Sequence, residues 1–169
     1  MGIAELSTAR LRLKKPGPGD LEALAAQIGD WEVTQWLARA PHPYTLSDAR
    51  DWIESDQQRE LNFNIYLDGS LIGGVGLTPD DDDFFELGYW LGKDFWGNGY
   101  ATEAAQCLLD HASNELKLSK FKSSYMLGND DSANVLRKLG FREIGKGEMF
   151  CLSHNESRPC MKLLLKQAK

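Results

Sequence analysis

The residues best suited to chemistry lie in "DFWGNGYATEA", Asp94 to Ala104, where Gly97 and Gly99 stand at the mouth of a helix-forming run. Glycine costs a helix roughly 1 kcal/mol relative to alanine, so two at an entrance need a reason. The first turn of a helix leaves backbone N–H groups without partners, and the helix dipole places partial positive charge there. An anion such as a pyrophosphate satisfies both, provided side chains stand aside. The same pair also serves a tight strand-to-helix turn that binds nothing. Two nucleotide signatures are disfavoured. A Walker A loop needs a Gly-Lys-Ser/Thr ending that this chain lacks, and Thr102 stands where a Rossmann fingerprint needs its third glycine.

Composition narrows the class. The chain has 169 residues, which predicts one domain over 1–169. A net charge of −6 argues against nucleic-acid binding and is compatible with a cationic substrate. No apolar run approaches the roughly 20 residues of a membrane span, and no targeting segment opens the chain, so a cytoplasmic protein is expected. Cys107, Cys151 and Cys160 lack paired spacing and read as reduced, buried thiols. His42, His111 and His154 are too far apart in sequence for a metal-binding motif, and no metal is expected. The aspartates of "PDDDD" read as a solvated turn.

The elements that position the loop follow from hydrophobic period. "TARLRLKK" alternates as one strand. Asp20 is placed to cap a helix bearing Leu21, Leu24, Ala25 and Ile28. A second short helix is expected to carry Trp31, Val33, Trp36 and Leu37, and a third, capped by Ser47 or Thr45, to present Ala49, Trp52 and Ile53. Asn62–Leu67 and Leu71–Leu77 form a hairpin around Asp68-Gly69. "FFELGYWLG" is a further strand, whose parity puts Phe85, Leu87, Tyr89 and Leu91 on one face and Glu86, Gly88 and Trp90 on the other. A helix from Gly99 buries Ala101, Ala105, Leu108 and Ala112. After the strand "SKFKSSYML", the run "NDDSANVLRKLGF" caps and forms a helix with Val135, Leu136 and Leu139 inward, stopped by Gly140. Strands near Phe141–Leu152 and Arg158–Lys166 close a mixed, mostly antiparallel α/β sheet flanked by helices.

"GYWLGKDFWGNGYATEA" followed by "NDDSANVLRKLGF" resembles the GNAT N-acetyltransferase superfamily, in particular the branch of ribosomal-protein N-terminal acetyltransferases. The resemblance runs from about Thr8 to Leu165. It implies a GNAT-like acyl-CoA N-acyltransferase fold, acetyl-CoA as co-substrate and an amine acceptor, either a peptide or protein N-terminus or a small amine. By that resemblance Gly97, Asn98, Gly99, Tyr100 and Ala101 donate amides to the pyrophosphate, with Thr102 adding a hydroxyl. Trp96 occupies the position normally held by Arg or Gln. Backbone around Trp90, Leu91 and Gly92 is expected to splay from the neighbouring strand and bind the pantetheine arm. Asn129, Ser132 and Asn134 complete the implied cofactor contacts. Many relatives carry a tyrosine where this chain has Leu136, and that tyrosine protonates the departing thiolate. Ser132, one turn earlier, is the substitute, and it also reads as a helix-capping residue.

The implied chemistry is direct attack of a neutral amine on the thioester. At pH 7 deprotonation costs roughly 4.6 kcal/mol for a lysine-like amine and about 1 kcal/mol for an α-amine. Glu86 is the candidate general base, directly or through water, against the alternative of a strand glutamate paired with a neighbour. Strand amides near Leu91 are the candidate oxyanion donors. Trp31, Trp36, Tyr44 and Trp52, with His42, are candidates to wall the acceptor groove. A non-catalytic acyl-CoA module on the same fold and a Rossmann-like nucleotide enzyme are the competing readings. Monomer and homodimer both stay open.

Overall fold

The protein is described by a computed structural model covering residues 5–56 and 60–166. Its elements, in chain order, are β1 (Glu5–Ser7), β2 (Leu11–Lys14), α1 (Leu21–Gly29), α2 (Trp31–Thr34), α3 (Leu46–Asp56), β3 (Asn62–Leu67) and β4 (Ser70–Pro79). Then come β5 (Phe85–Leu91), α4 (Tyr100–Asn114), β6 (Lys120–Met126), α5 (Asp130–Lys138), β7 (Arg142–Cys151) and β8 (Glu156–Lys166). The eight strands form one sheet in the order β1-β2-β3-β4-β5-β6-β8-β7. Every neighbouring pair is antiparallel except β5 and β6. Among the described residues no helix is long and apolar enough to cross a membrane.

Side-chain alternation divides the apolar residues between two layers. Ile65, Ile72 and Tyr89 join the cluster under α4 and α5, built on Leu108, Leu109, Phe121, Leu136 and Leu163. Their chain neighbours Tyr66, Leu71 and Trp90 join a second cluster under α1 and α3, built on Leu24, Ile28, Ala49 and Ile53. The parity expected of β5 therefore holds, since its register against β4 runs from Phe85 to Leu91 without a shift. The apolar stripe of α4 is wider than the four residues expected, because Ala104 and Leu109 are buried as well.

Local expectations need three corrections, and one open choice is resolved. The segment "TARLRLKK" begins in a turn, with Thr8 Oγ1 accepting from the amide of Leu11 at 2.9 Å, and only Leu11–Lys14 is strand. Asp20 precedes α1 without capping it. Its Oδ2 instead accepts from Gly17 N at 2.9 Å, Tyr66 Oη at 2.7 Å and Asn64 Nδ2 at 3.3 Å, because β3 buries polar groups that need an acceptor. The second helix stops at Thr34, before Trp36 and Leu37. Thr34, fully buried, donates its hydroxyl to Ile28 O and Asp30 O, so it serves the turn between α1 and α2. Of the two capping candidates for α3 the structure selects Thr45, whose Oγ1 accepts from Asp48 N at 3.2 Å while Asp48 Oδ2 accepts from Thr45 N at 2.7 Å.

Candidate active site

The site is built where β5 and β6 part. The two strands pair only at Phe85↔Phe121 and Glu86↔Lys122, and beyond Glu86 the ladder ends. Leu87 O, the first group past the fork, accepts from Ser123 Oγ at 2.8 Å. Past it, Gly88 to Leu91 have no β6 partner among the described residues, and the strand leads on to the Trp96–Gly99 loop and the start of α4. Such an unpaired run of strand backbone can hydrogen-bond an extended amide chain.

In the Trp96–Gly99 loop, Gly97 and Gly99 both adopt φ +79°, in the left-handed region that favours glycine. A Cβ at Gly97 would point into open space. The side chains around them turn away: Asn98 Nδ2 donates to Trp96 O at 3.1 Å, and Trp96 Nε1 donates to Leu91 O at 3.0 Å. Among the described residues, the main-chain amides of Gly97, Asn98 and Gly99 have no hydrogen-bond partner outside helices and strands. The Thr102 hydroxyl has no hydrogen-bond partner among the described residues. These features fit the pyrophosphate and pantetheine of an acyl-CoA. At Gly92, also in the implied set, the amide donates to Ile72 O at 2.8 Å and the carbonyl accepts from Phe95 N at 3.0 Å, which leaves the carbonyl one further lone pair. A Cβ on Gly92 would lie 2.4 Å from Gln27 Oε1, the end of a flexible side chain that would have to move.

The two proton-handling candidates lie on opposite faces of the sheet. Glu86 shares the α1–α3 face with Trp90 and is half-buried, with Oε1 3.6 Å from Arg39 Nη2. Ser132, on α5, lies on the other face, held by Asn129 Oδ1, which accepts from Ser132 N at 3.3 Å. Leu136 is fully buried, so the helix position that carries a tyrosine in many relatives is a core position here. Asn134 is exposed, and its Oδ1 accepts from Arg137 Nη1 at 3.3 Å.

Of the four aromatic candidates, Tyr44 and Trp52 pack into the second cluster, and burial, with help from Asp48 and Asp51, pushes the Tyr44 phenol up to about 12. Trp31 is 40% exposed and stacks near His42 at 4.8 Å and His154 at 5.2 Å. Trp36 reaches within 3.7 Å of where a Gly128 Cβ would stand, beside the entrance to α5. Two histidines distant in sequence therefore meet at one tryptophan. No group of His, Cys, Asp or Glu able to hold a metal occurs among the described residues. All three cysteines are free, and burial raises each thiol, which makes them poor nucleophiles.

Two residues near the loop were not singled out by sequence. Tyr89, on the face of β5 assigned to the core, places its phenol 2.8 Å from Ser132 Oγ. Arg10 lies 4.6 Å over the Tyr100 ring and pairs with Glu103 at 2.6 Å, fastening the β1–β2 turn to the first turns of α4. Only the third dimension brings positions 10 and 103 together, so no local signal existed. Burial alone would raise the Glu103 carboxyl, but Thr8 and Arg10 outweigh it and hold it below the usual range. A lowered carboxyl contributes stability that is present above its unfolded value near ~4.3 and is lost as pH falls through the folded value. We expect Glu103→Gln to cost about 1–2 kcal/mol at pH 7 by urea denaturation, with the gap from the parent closing as pH falls through the carboxyl's lowered folded value.

Comparison with known proteins agrees with this geometry. The model of the acetyltransferase (GNAT) domain matches residues 10–142. YdaF of Bacillus subtilis, whose name proposes a ribosomal N-acetyltransferase, is 32% identical over 139 residues, 76% of each chain. An acetyltransferase of the GNAT family from Bacillus anthracis superposes with a TM-score of 0.85 at 23% identity, over 96% of this chain and 98% of that one. RimL, a ribosomal L7/L12 α-N-protein acetyltransferase solved with coenzyme A, superposes with a TM-score of 0.81 at 17% identity, over 94% and 95% of the two chains. With its forked strands, bare-amide loop and matching domain model, this chain belongs to the GNAT acetyltransferase family and is an N-acetyltransferase.

Proposed function

We propose that this enzyme moves the acetyl group of acetyl-CoA onto the α-amine of a peptide or protein N-terminus, by direct attack in a ternary complex. The observation that carries the reading is the fork at Glu86. There the β5–β6 ladder ends, with a carboxylate on one face of the sheet and a hydroxyl on the other. An acceptor can approach from the α1–α3 face while the leaving sulfur faces α5. The names of YdaF and RimL favour a protein acceptor over a small amine.

Acetyl-CoA supplies the activated acetyl thioester. Gly97, Asn98, Gly99, Tyr100 and Ala101 hold its pyrophosphate by backbone amides, assisted by the Thr102 hydroxyl, and the Gly88–Leu91 edge holds the pantetheine arm. Glu86 takes one proton from the acceptor ammonium, directly or through water, and releases it to solvent. The neutral nitrogen then forms the C–N bond as the C–S bond breaks, and the sulfur leaves with the bonding electron pair. Ser132 hydrogen-bonds that sulfur, which gains a proton as the nitrogen loses its second one. The low cost of deprotonating an α-amine, about 1 kcal/mol at pH 7, suits a base as solvent-accessible as Glu86.

The test joins calorimetry with CoA to a radiolabelled-acetyl screen over N-terminal peptides, polyamines and aminoglycosides. Transfer to peptide α-amines is the expected result. CoA binding with no transfer to any peptide would overturn the acceptor assignment. As a check on the ligand, CoA at 100 times its Kd should stabilise the fold by about 2.7 kcal/mol, and NAD or ATP should not.

A further inference from the structure

Family resemblance leaves the acid of this enzyme on Ser132 alone, because position 136 holds a leucine in the core. A serine hydroxyl has one hydrogen, and whether it is free for a ligand depends on what else the oxygen touches. In this structure it touches a phenol. Tyr89 stands on β5 three residues past Glu86, where the β5–β6 ladder has ended, and its hydroxyl crosses to α5. The phenol oxygen lies 2.8 Å from Ser132 Oγ and 3.1 Å from Ser132 O.

Two hydrogen-bond settings are open to this pair. If the phenol donates to the Ser132 carbonyl, the serine hydroxyl donates to the phenol and its hydrogen is consumed. If the phenol donates to Ser132 Oγ, the serine keeps its hydrogen free to point elsewhere, and an anionic acceptor beside the serine favours that setting. The phenol is always available as the donor, since burial pushes it up to about 12 even though Ser132 pulls it down. Asn129 fixes the other side of Ser132 by accepting from its amide.

We infer that Tyr89 is the positioning residue for Ser132, donating its phenolic hydrogen to Ser132 Oγ so that the serine's own hydrogen is aimed at the sulfur of the coenzyme. A tyrosine hydroxyl thus serves the leaving group in this chain, but from strand β5 and through a serine. This rests on the reading that the coenzyme sulfur lies beside Ser132. It adds a role for Tyr89 that is independent of which amine is acetylated.

The test needs no acceptor. CoA is titrated on the enzyme and the pKa of its bound thiol is read from thiolate ultraviolet absorbance, for the parent, Tyr89→Phe, Ser132→Ala and the double variant. Against a free thiol near ~8.5, the parent should bind CoA with a more acidic thiol. Ser132→Ala should weaken that acidity by roughly tenfold, Tyr89→Phe by about threefold or more, and the double variant by no more than Ser132→Ala alone. CoA affinity, measured by calorimetry at a pH where the thiol is neutral, should be the same in Tyr89→Phe as in the parent, whereas a merely structural role would lower it.

A bound thiol as acidic in Tyr89→Phe as in the parent overturns the inference. So does an equal loss on adding Tyr89→Phe to Ser132→Ala. Fluorotyrosine at position 89 is the second variant, in case Tyr89→Phe folds poorly. Its more acidic phenol is a stronger donor and should make the bound thiol more acidic still; no change would overturn the inference. An absence of any heat with CoA overturns the cofactor reading and this role together, while normal binding with unaltered thiol acidity overturns this role alone.

Discussion

Gly99→Val is expected to lower affinity for CoA by at least ~100-fold, because hydrogen bonds to a charged partner are worth about 1.5–3 kcal/mol each and at least two loop amides would be displaced. The cause is conformational before it is steric. Gly99 sits at φ +79°, while an added Cβ would meet only Arg10 Nη2, at an ordinary 3.6 Å. A β-branched residue cannot hold that φ without a penalty of roughly 1–2 kcal/mol, so the loop would re-form with its amides turned elsewhere. Strain alone must be separated from lost binding. Gly69 provides the control, since it has φ +84° in the β3–β4 hairpin, with open space around its Cβ. Gly69→Val should cost similar stability in a melting experiment and leave the CoA isotherm unchanged. Equal CoA binding by Gly99→Val and the parent would refute the assignment of the pyrophosphate to this loop.

The second large effect is on turnover. With the acceptor identified by the transfer screen, Glu86→Gln should reduce kcat at pH 7 by roughly sevenfold for an α-amine, which is the roughly 1 kcal/mol that neutralising it costs, and by more than about 10³ for a lysine-like amine. The substitution keeps size and shape. It costs little in the fold, because the Arg39 contact is 3.6 Å long between an exposed guanidinium and a half-buried carboxylate still open to solvent. The deficit has a predicted pH dependence. As pH rises toward the amine's own pKa, the acceptor arrives already neutral, and the variant's rate should climb toward that of the parent. For an α-amine near ~7.8 this recovery falls within an accessible range, whereas for a lysine side chain near ~10.4 it does not. The same pH profile therefore reports on the acceptor class. A Glu86→Gln enzyme as fast as the parent at pH 7 would remove Glu86 from the chemistry and return it to the role of a paired strand glutamate.

Much of this architecture was legible in the residues. Strict alternation in β5 and three- and four-residue steps in α4 and α5 each report which side chains point inward, because a strand or a helix has a fixed period. Asn129 and Thr45 were readable as caps for the same local reason, since a capping side chain reaches only two or three residues along its own chain. The misreadings have a common source. Asp20 looks like a cap in sequence, but Tyr66 and Asn64 compete for its carboxylate from β3. Trp36 and Leu37 look helical, but Thr34 ties its hydroxyl to the end of α1 and the helix stops. In both, a partner distant in sequence outbid a local preference.

The sequence by itself determined the elements and the likeness to an acetyltransferase: a glycine-flanked helix start, a capped second helix, and a strand with one carboxylate on its polar parity. Those are properties of short segments, set by backbone sterics and side-chain period. It took the tertiary structure to end the β5–β6 ladder at Glu86, to put Glu86 and Ser132 on opposite faces of the sheet, and to bring the Tyr89 hydroxyl to Ser132. These are meetings between residues tens of positions apart. The packing of whole layers sets them, and no local pattern of residues can encode which side chains will come within a hydrogen bond of one another.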